Sequence, residues 1–133
     1  MTHLSDQQLD TLRGLLDERE QAVRSGVLEH ADRLRASSEP APAGPTGDIA
    51  DLADVEQTRD NENAAVAREL RELGDIEAAR ERIADGEAGV CIDCGDEIPF
   101  ARLQAQPTAA RCVPCQERIE RLQALAPEGV RVG

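Results

Sequence analysis

Cys91 and Cys94 are separated by two residues, as are Cys112 and Cys115, and seventeen residues lie between the two pairs. Two C-x2-C pairs about 15–20 residues apart have the spacing of an all-cysteine zinc site. Two intervening residues let both sulfurs of one backbone turn face a single ion at about 2.3 Å, and a second such turn completes the tetrahedron. Gly95, next to Cys94, suits the tight backbone of such a knuckle. Four thiolates leave no open coordination position, so one structural Zn2+ is expected, held by Cys91, Cys94, Cys112 and Cys115. Two disulfides would instead suit an oxidising compartment. A redox C-x-x-C pair would need a βαβ context that this chain lacks. His3 and His30 are far from the cluster in sequence and are read as helix-surface residues, not ligands.

The segment GPTGDIADLADVE places Asp48, Asp51 and Asp54 at three-residue spacing directly after a proline- and glycine-rich stretch. Two readings stand side by side. Asp48 and Asp51 suit an N-cap and a first turn, where carboxylates favour the positive end of a helix by roughly 0.3–1 kcal/mol each. The same acids, at the end of a long element, are also suited to act on something beyond it.

Two long helices are expected to position these groups. The first opens at Ser5, with Gln8 three residues on in a capping-box pattern. Leu9, Leu12, Leu16, Val23, Val27 and Leu34 then recur at helical spacing. Residues 38–47 contain three prolines and two glycines and form a loop. In the second helix Leu52, Val55, Val66, Leu73, Ile76 and Ile83 fall on one 3-4 series. Arg59, Glu62, Glu69 and Arg80 occupy its intervening slots. Gly14, Gly26 and Gly74 are weak points, each costing about 1 kcal/mol relative to Ala. Paired helices bury such stripes most simply on each other. The expected fold is therefore mainly α: a long antiparallel coiled-coil hairpin over 1–85 (helix about 5–37, tip loop 38–47, helix about 48–85). The hairpin is expected to project as a rod roughly 50 Å long. A small four-cysteine zinc-finger domain over 86–133 follows, with a short C-terminal helix from about Pro114 to Leu125.

Composition sets the limits. The 133 residues include no Trp or Tyr and a single Phe, and 32% are charged. That excludes a large aromatic core and matches long helices. A net charge of −12 with no basic patch disfavours binding to a phosphate backbone and favours a positively charged groove or funnel in a partner. No apolar run reaches the roughly 18 residues of a membrane span, and residues 1–10 are not a secretory signal. A cytoplasmic protein is expected. Nothing resembles an activated nucleophile, an open metal or a phosphate-cradling loop, so no enzyme is expected.

The segment CIDCGDEIPFARLQAQPTAARCVPCQ resembles the zinc finger of the DksA/TraR family of bacterial transcription regulators, including its C-x2-C-G and RL.A.PTA..C..C elements. Upstream, Asp48, Asp51 and Ala53 match the D-x-x-D-x-A motif at the coiled-coil tip of that family, in register with the first cysteine. The resemblance covers about 48–122; residues 1–47 agree only as helix plus loop. It implies direct binding to RNA polymerase and not to specific DNA, with the tip acids entering the secondary channel to modulate initiation. A monomer is expected. Arg68 and Arg102 are retained as candidate polymerase contacts, beside the ordinary reading of solvated helix arginines. Family members that respond to ppGpp jointly with polymerase use basic residues where this chain has Asp75, Gln106 and Gln116. A polyanion needs cationic donors, so weak or absent ppGpp dependence is expected. Two rival functions are a zinc-stapled coiled-coil adaptor for another intracellular partner and a thiol redox sensor.

Overall fold

The computed structural model describes residues 2–38 and 49–125, and for residues 37, 38 and 49–52 the backbone alone. Its helices are α1 (Asp6–Ser38), α2 (Ile49–Ala84), α3 (Phe100–Ala105) and α4 (Val113–Leu125). Among the described residues there is no β-strand beyond one isolated antiparallel bridge, Val90 to Glu97. The tip loop expected at 38–47 falls almost entirely outside the described residues, as does Asp48.

Local signals set the helix ends. Ser5 and Gln8 form the reciprocal capping box: the Ser5 N–H donates to Gln8 Oε1 at 2.9 Å and the Gln8 N–H to Ser5 Oγ at 3.1 Å. At the other end of α2, the Glu87 N–H reaches the Arg82 carbonyl at 2.8 Å and the Gly86 N–H the Ile83 carbonyl at 3.2 Å. This six-to-one closure stops the helix before the cysteine segment. α3 is absent from the expectation above. It is six residues long, follows Pro99 and is too short to show a period. The prolines at 99 and 107 that bracket FARLQAQ were the available signal.

The chain forms two compact units, Met1–Asp17 with Ile76–Gly133, and Glu18–Asp75. The first holds nearly all the core. Leu4, Leu12, Leu16, Ile76, Ala79, Ile83, Ala88, Ile98, Leu103 and Ala109 are buried there, together with Cys91 and Cys115. Arg80 crosses to Asp17 at 2.8 Å on the outside of this helix pair.

The second unit is held differently. Val23 is the one buried apolar residue among its described members, and Val55, expected in the seam, is 48% exposed. Much of the rest of the seam is polar. Arg19 pairs with Glu72 through two of its guanidinium nitrogens, Nε and Nη2. His30 lies between the helices, with Nδ1 on Glu62 and Nε2 3.2 Å from Glu69 Oε1. His30 is thus a cross-helix residue, not a free surface one. Its hydrogen bond is the largest influence on Glu62 and holds that carboxyl below the usual range. Gly26 makes room for the cluster, since a Cβ there would stand 2.6 Å from Glu69 Oε1. From Arg19–Glu72 to Arg33–Glu62 the partner's position moves back along α2 as the chain advances along α1, so the helices run antiparallel. The more exposed of these pairs, such as Arg19 with Glu72, contribute about 0–1 kcal/mol each. They favour a register more than they add stability.

Candidate metal centre

The first cysteine pair sits on a narrow turn. The Cys91 N–H bonds the Asp96 carbonyl at 2.8 Å, the Ile98 N–H bonds Gly89 O at 2.7 Å, and the Gly95 N–H returns to Cys91 O at 3.0 Å. Gly95 closes the turn at φ +79°, a backbone region that glycine enters without a Cβ penalty. The second pair opens α4: the Gln116 N–H reaches the Cys112 carbonyl at 2.9 Å, so Cys112 caps the helix and Cys115 lies in its first turn. The two segments are joined by the Ile92 N–H donating to Ala110 O at 3.0 Å.

This backbone brings all four sulfurs within 4.8 Å of one another, with Cys94 and Cys112 Sγ 3.6 Å apart. A tetrahedron with bonds of about 2.3 Å has edges of about 3.8 Å, so the spacing of the donor set suits one zinc ion. A disulfide needs about 2.05 Å, and the four sulfurs share one volume instead of forming two separate pairs. Electrostatics agree. Burial pushes the Cys91 thiol up, but backbone N–H groups of Cys94, Cys112 and Asp93 outweigh it and bring Cys91 down to about 6. Cys115 is pushed up to about 12, first by its hydrogen bond to Cys112 and then by burial and the other two sulfurs. At Cys94 the Asp96 backbone pulls downward, yet burial and the neighbouring sulfurs leave it raised. Cys94 and Cys115 thus favour the protonated form, and a divalent cation displaces those protons on binding.

Residues 2–4 brace the first turn, a contact that sequence reasoning missed. Thr2 Oγ1 donates to Ala88 O, His3 Nε2–H to Ile98 O at 2.9 Å, and Leu4 is buried. His3 is therefore docked on the cysteine hairpin and lies outside any helix. The position that admits it is Gly89, at φ +76°, where a Cβ would stand 3.0 Å from His3 Nε2 and 3.2 Å from Leu4 Cγ. Gly89→Ala is expected to lower stability by at least about 1–2 kcal/mol from the backbone conformation alone. Gly14→Ala, in open space on α1, is the control and should be neutral or stabilising. Denaturant midpoints of the zinc-loaded proteins measure both, and equal midpoints for Gly89→Ala and wild type would refute the bracing role.

The other expected site residues are dispersed. Asp48 lies outside the described residues, Asp51 is in the first turn of α2, and Ala53 is exposed shortly after it. Arg68 is exposed on α2. Arg102, on α3, is half-buried and donates from Nε to Arg111 O at 3.1 Å, which ties α3 to the second cysteine pair. Arg102, Gln106, Val113, Gln116, Glu117 and Glu120 line an open concavity of about 240 Å³.

Fold and site together define a helical protein with a four-cysteine zinc finger. Residues 86–121 match the family described as the prokaryotic dksA/traR C4-type zinc finger. The chain is 38% identical over 65 residues to the "RNA polymerase-binding transcription factor DksA" of Caulobacter vibrioides (strain NA1000 / CB15N), covering 49% of this chain and 41% of that protein. It is 38% identical over 53 residues to the protein of the same name from Escherichia coli (strain K12), covering 40% and 35%. These alignments span about two-fifths of the curated relatives. The structure of transcription factor DksA2 from Pseudomonas aeruginosa is similar over nearly the whole chain, with a TM-score of 0.76 and 30% identity, covering 92% of this chain and 90% of that one. The chain belongs to the DksA/TraR family, and its cofactor is one structural zinc ion.

Proposed function

We propose that this protein is a cytoplasmic bacterial transcription regulator that acts as a monomer and binds RNA polymerase directly, without sequence-specific DNA contact and without catalysis of its own. The observation that carries the reading is the whole-length likeness to transcription factor DksA2, at 30% identity over 92% of this chain. Curated relatives named as RNA polymerase-binding factors support it, as does a net charge of −12, which suits a positively charged passage. Among the described residues no helix is long and apolar enough to cross a membrane.

In this reading Asp48, Asp51 and Ala53 enter the secondary channel of polymerase and modulate initiation, with Arg68 and Arg102 as further contacts. Dependence on ppGpp is weak. The concavity at Gln106 and Gln116 offers the Arg102 guanidinium against the carboxylates of Glu117 and Glu120, whereas a polyanionic nucleotide needs several cationic donors. Asp75, the third aligned position, is itself acidic.

In vitro transcription with purified bacterial polymerase tests this. Wild-type protein should change initiation at responsive promoters with little further change on adding ppGpp. Asp51→Asn and Asp48→Asn should lose the effect while still co-purifying with polymerase. Asp48→Asn keeps a good cap residue, so helix loss would not explain that result. Absence of polymerase binding would reject the proposal. Full regulation by both variants would reject the tip assignment alone.

A further inference from the structure

The two cysteine turns are joined by a charged contact that zinc coordination does not require. Asp93 lies inside the first C-x2-C turn, and Arg111 immediately precedes Cys112. Arg111 Nε donates to Asp93 Oδ2 at 2.7 Å, and the two side chains are only 17% and 24% exposed. The Arg111 backbone is fixed in turn by Arg102 Nε on its carbonyl. The neighbouring Ile92–Ala110 backbone bond runs alongside. The bond is charge-assisted and joins segments eighteen positions apart.

We propose that Asp93 and Arg111 form a positioning latch for the metal centre, one that holds the two cysteine turns against each other and slows the loss of zinc. The physical argument concerns the path by which the ion leaves. Each turn contributes two sulfurs, so release to a competing ligand requires one turn to swing away from the other. The latch bridges the two turns at the point where they separate, so it must break before the second pair of sulfurs lets go. Partners just outside the ligand shell commonly change metal affinity by about 10–100-fold.

The test is the rate at which the full-length, zinc-loaded protein transfers its metal to excess chromogenic chelator. Asp93→Asn keeps the shape of the side chain and removes its charge, and it should speed zinc loss by about 10-fold. Arg111→Met should do the same. The decisive measurement is the double variant, because two residues acting as one latch give a combined effect close to either single one, whereas independent structural roles multiply. Zinc loss from Asp93→Asn within twofold of wild type, or a double variant equal to the product of the singles, would overturn the proposal. If Arg111→Met does not take up zinc, Asp93→Asn alone decides it.

Discussion

Stripping zinc from this protein, or replacing Cys115 with Ser, is expected to unfold residues 86–125 while leaving most of the helical signal in place. The energies make the direction clear. Structural zinc binding in small zinc-finger peptides is worth about 10–16 kcal/mol near neutral pH, and because no site exists in the unfolded chain this appears as folding energy. The cysteine segment has few alternatives, since its buried apolar residues besides the cysteines are Ala88, Ile98, Leu103 and Ala109. Ordering each residue costs about 1–2 kcal/mol of backbone entropy, which so small a core does not offset. Without the ion Cys94 and Cys115 favour the protonated form, and the four sulfurs no longer anchor the two turns. α3 and α4, with 6 and 13 residues, account for far less helix than α1 and α2, with 33 and 36. Far-UV circular dichroism should therefore fall only in minor part. Amide resonances of residues 88–116 should collapse in dispersion while those of 18–75 persist. A metal-free protein with an unchanged amide spectrum would show that zinc is dispensable for the fold.

The second large effect is expected at Leu16. Its side chain is fully buried, in the unit that also buries Ile76 and Ile83. Leu16→Ala should cost about 2–5 kcal/mol, from lost transfer energy and the cavity left behind. Against a total stability of about 5–15 kcal/mol for a domain, that is a large fraction. Leu28→Ala is the matched control: the same chemistry on the same helix, but in the second unit and 64% exposed. Its effect should stay within about 0.5 kcal/mol. The apolar stripe alone does not distinguish a tightly buried leucine from a loosely covered one. Equal shifts in the denaturant midpoint for the two variants would mean that the burial difference carries no energy.

Val55 and His30 show where sequence reasoning about the seam stopped. The 3-4 series correctly assigned Ile76 and Ile83 to a buried face, and it put Val55 on the same face at equal rank. Which members of a stripe are covered depends on what stands opposite. In residues 18–75 the opposing groups include Arg19, His30, Glu62, Glu69 and Glu72, whose ionic contacts keep the helices less tightly covered. His30 is read as a helix-surface residue because it lies far from the cysteine cluster in sequence, and that distance carries no information about its partners on α2. Gly26 was counted as a defect, but it is the space into which the Glu69 carboxylate fits.

What the amino-acid order decides here is local or rests on ligand chemistry. The Ser5–Gln8 cap spans three residues, the stop after Ala84 lies within one helical turn, and the four-cysteine spacing states the coordination geometry of a metal almost by itself. Tertiary structure decided the contacts between distant segments. It docked Thr2, His3 and Leu4 on the hairpin that carries Cys91, and it linked Asp93 to Arg111 between the two cysteine turns. It also grouped the start of α1 and the end of α2 with the cysteine segment in one compact unit. The reason is physical: periodicity records which way a residue faces along its own element, and nothing in it records which other element will be there to meet it.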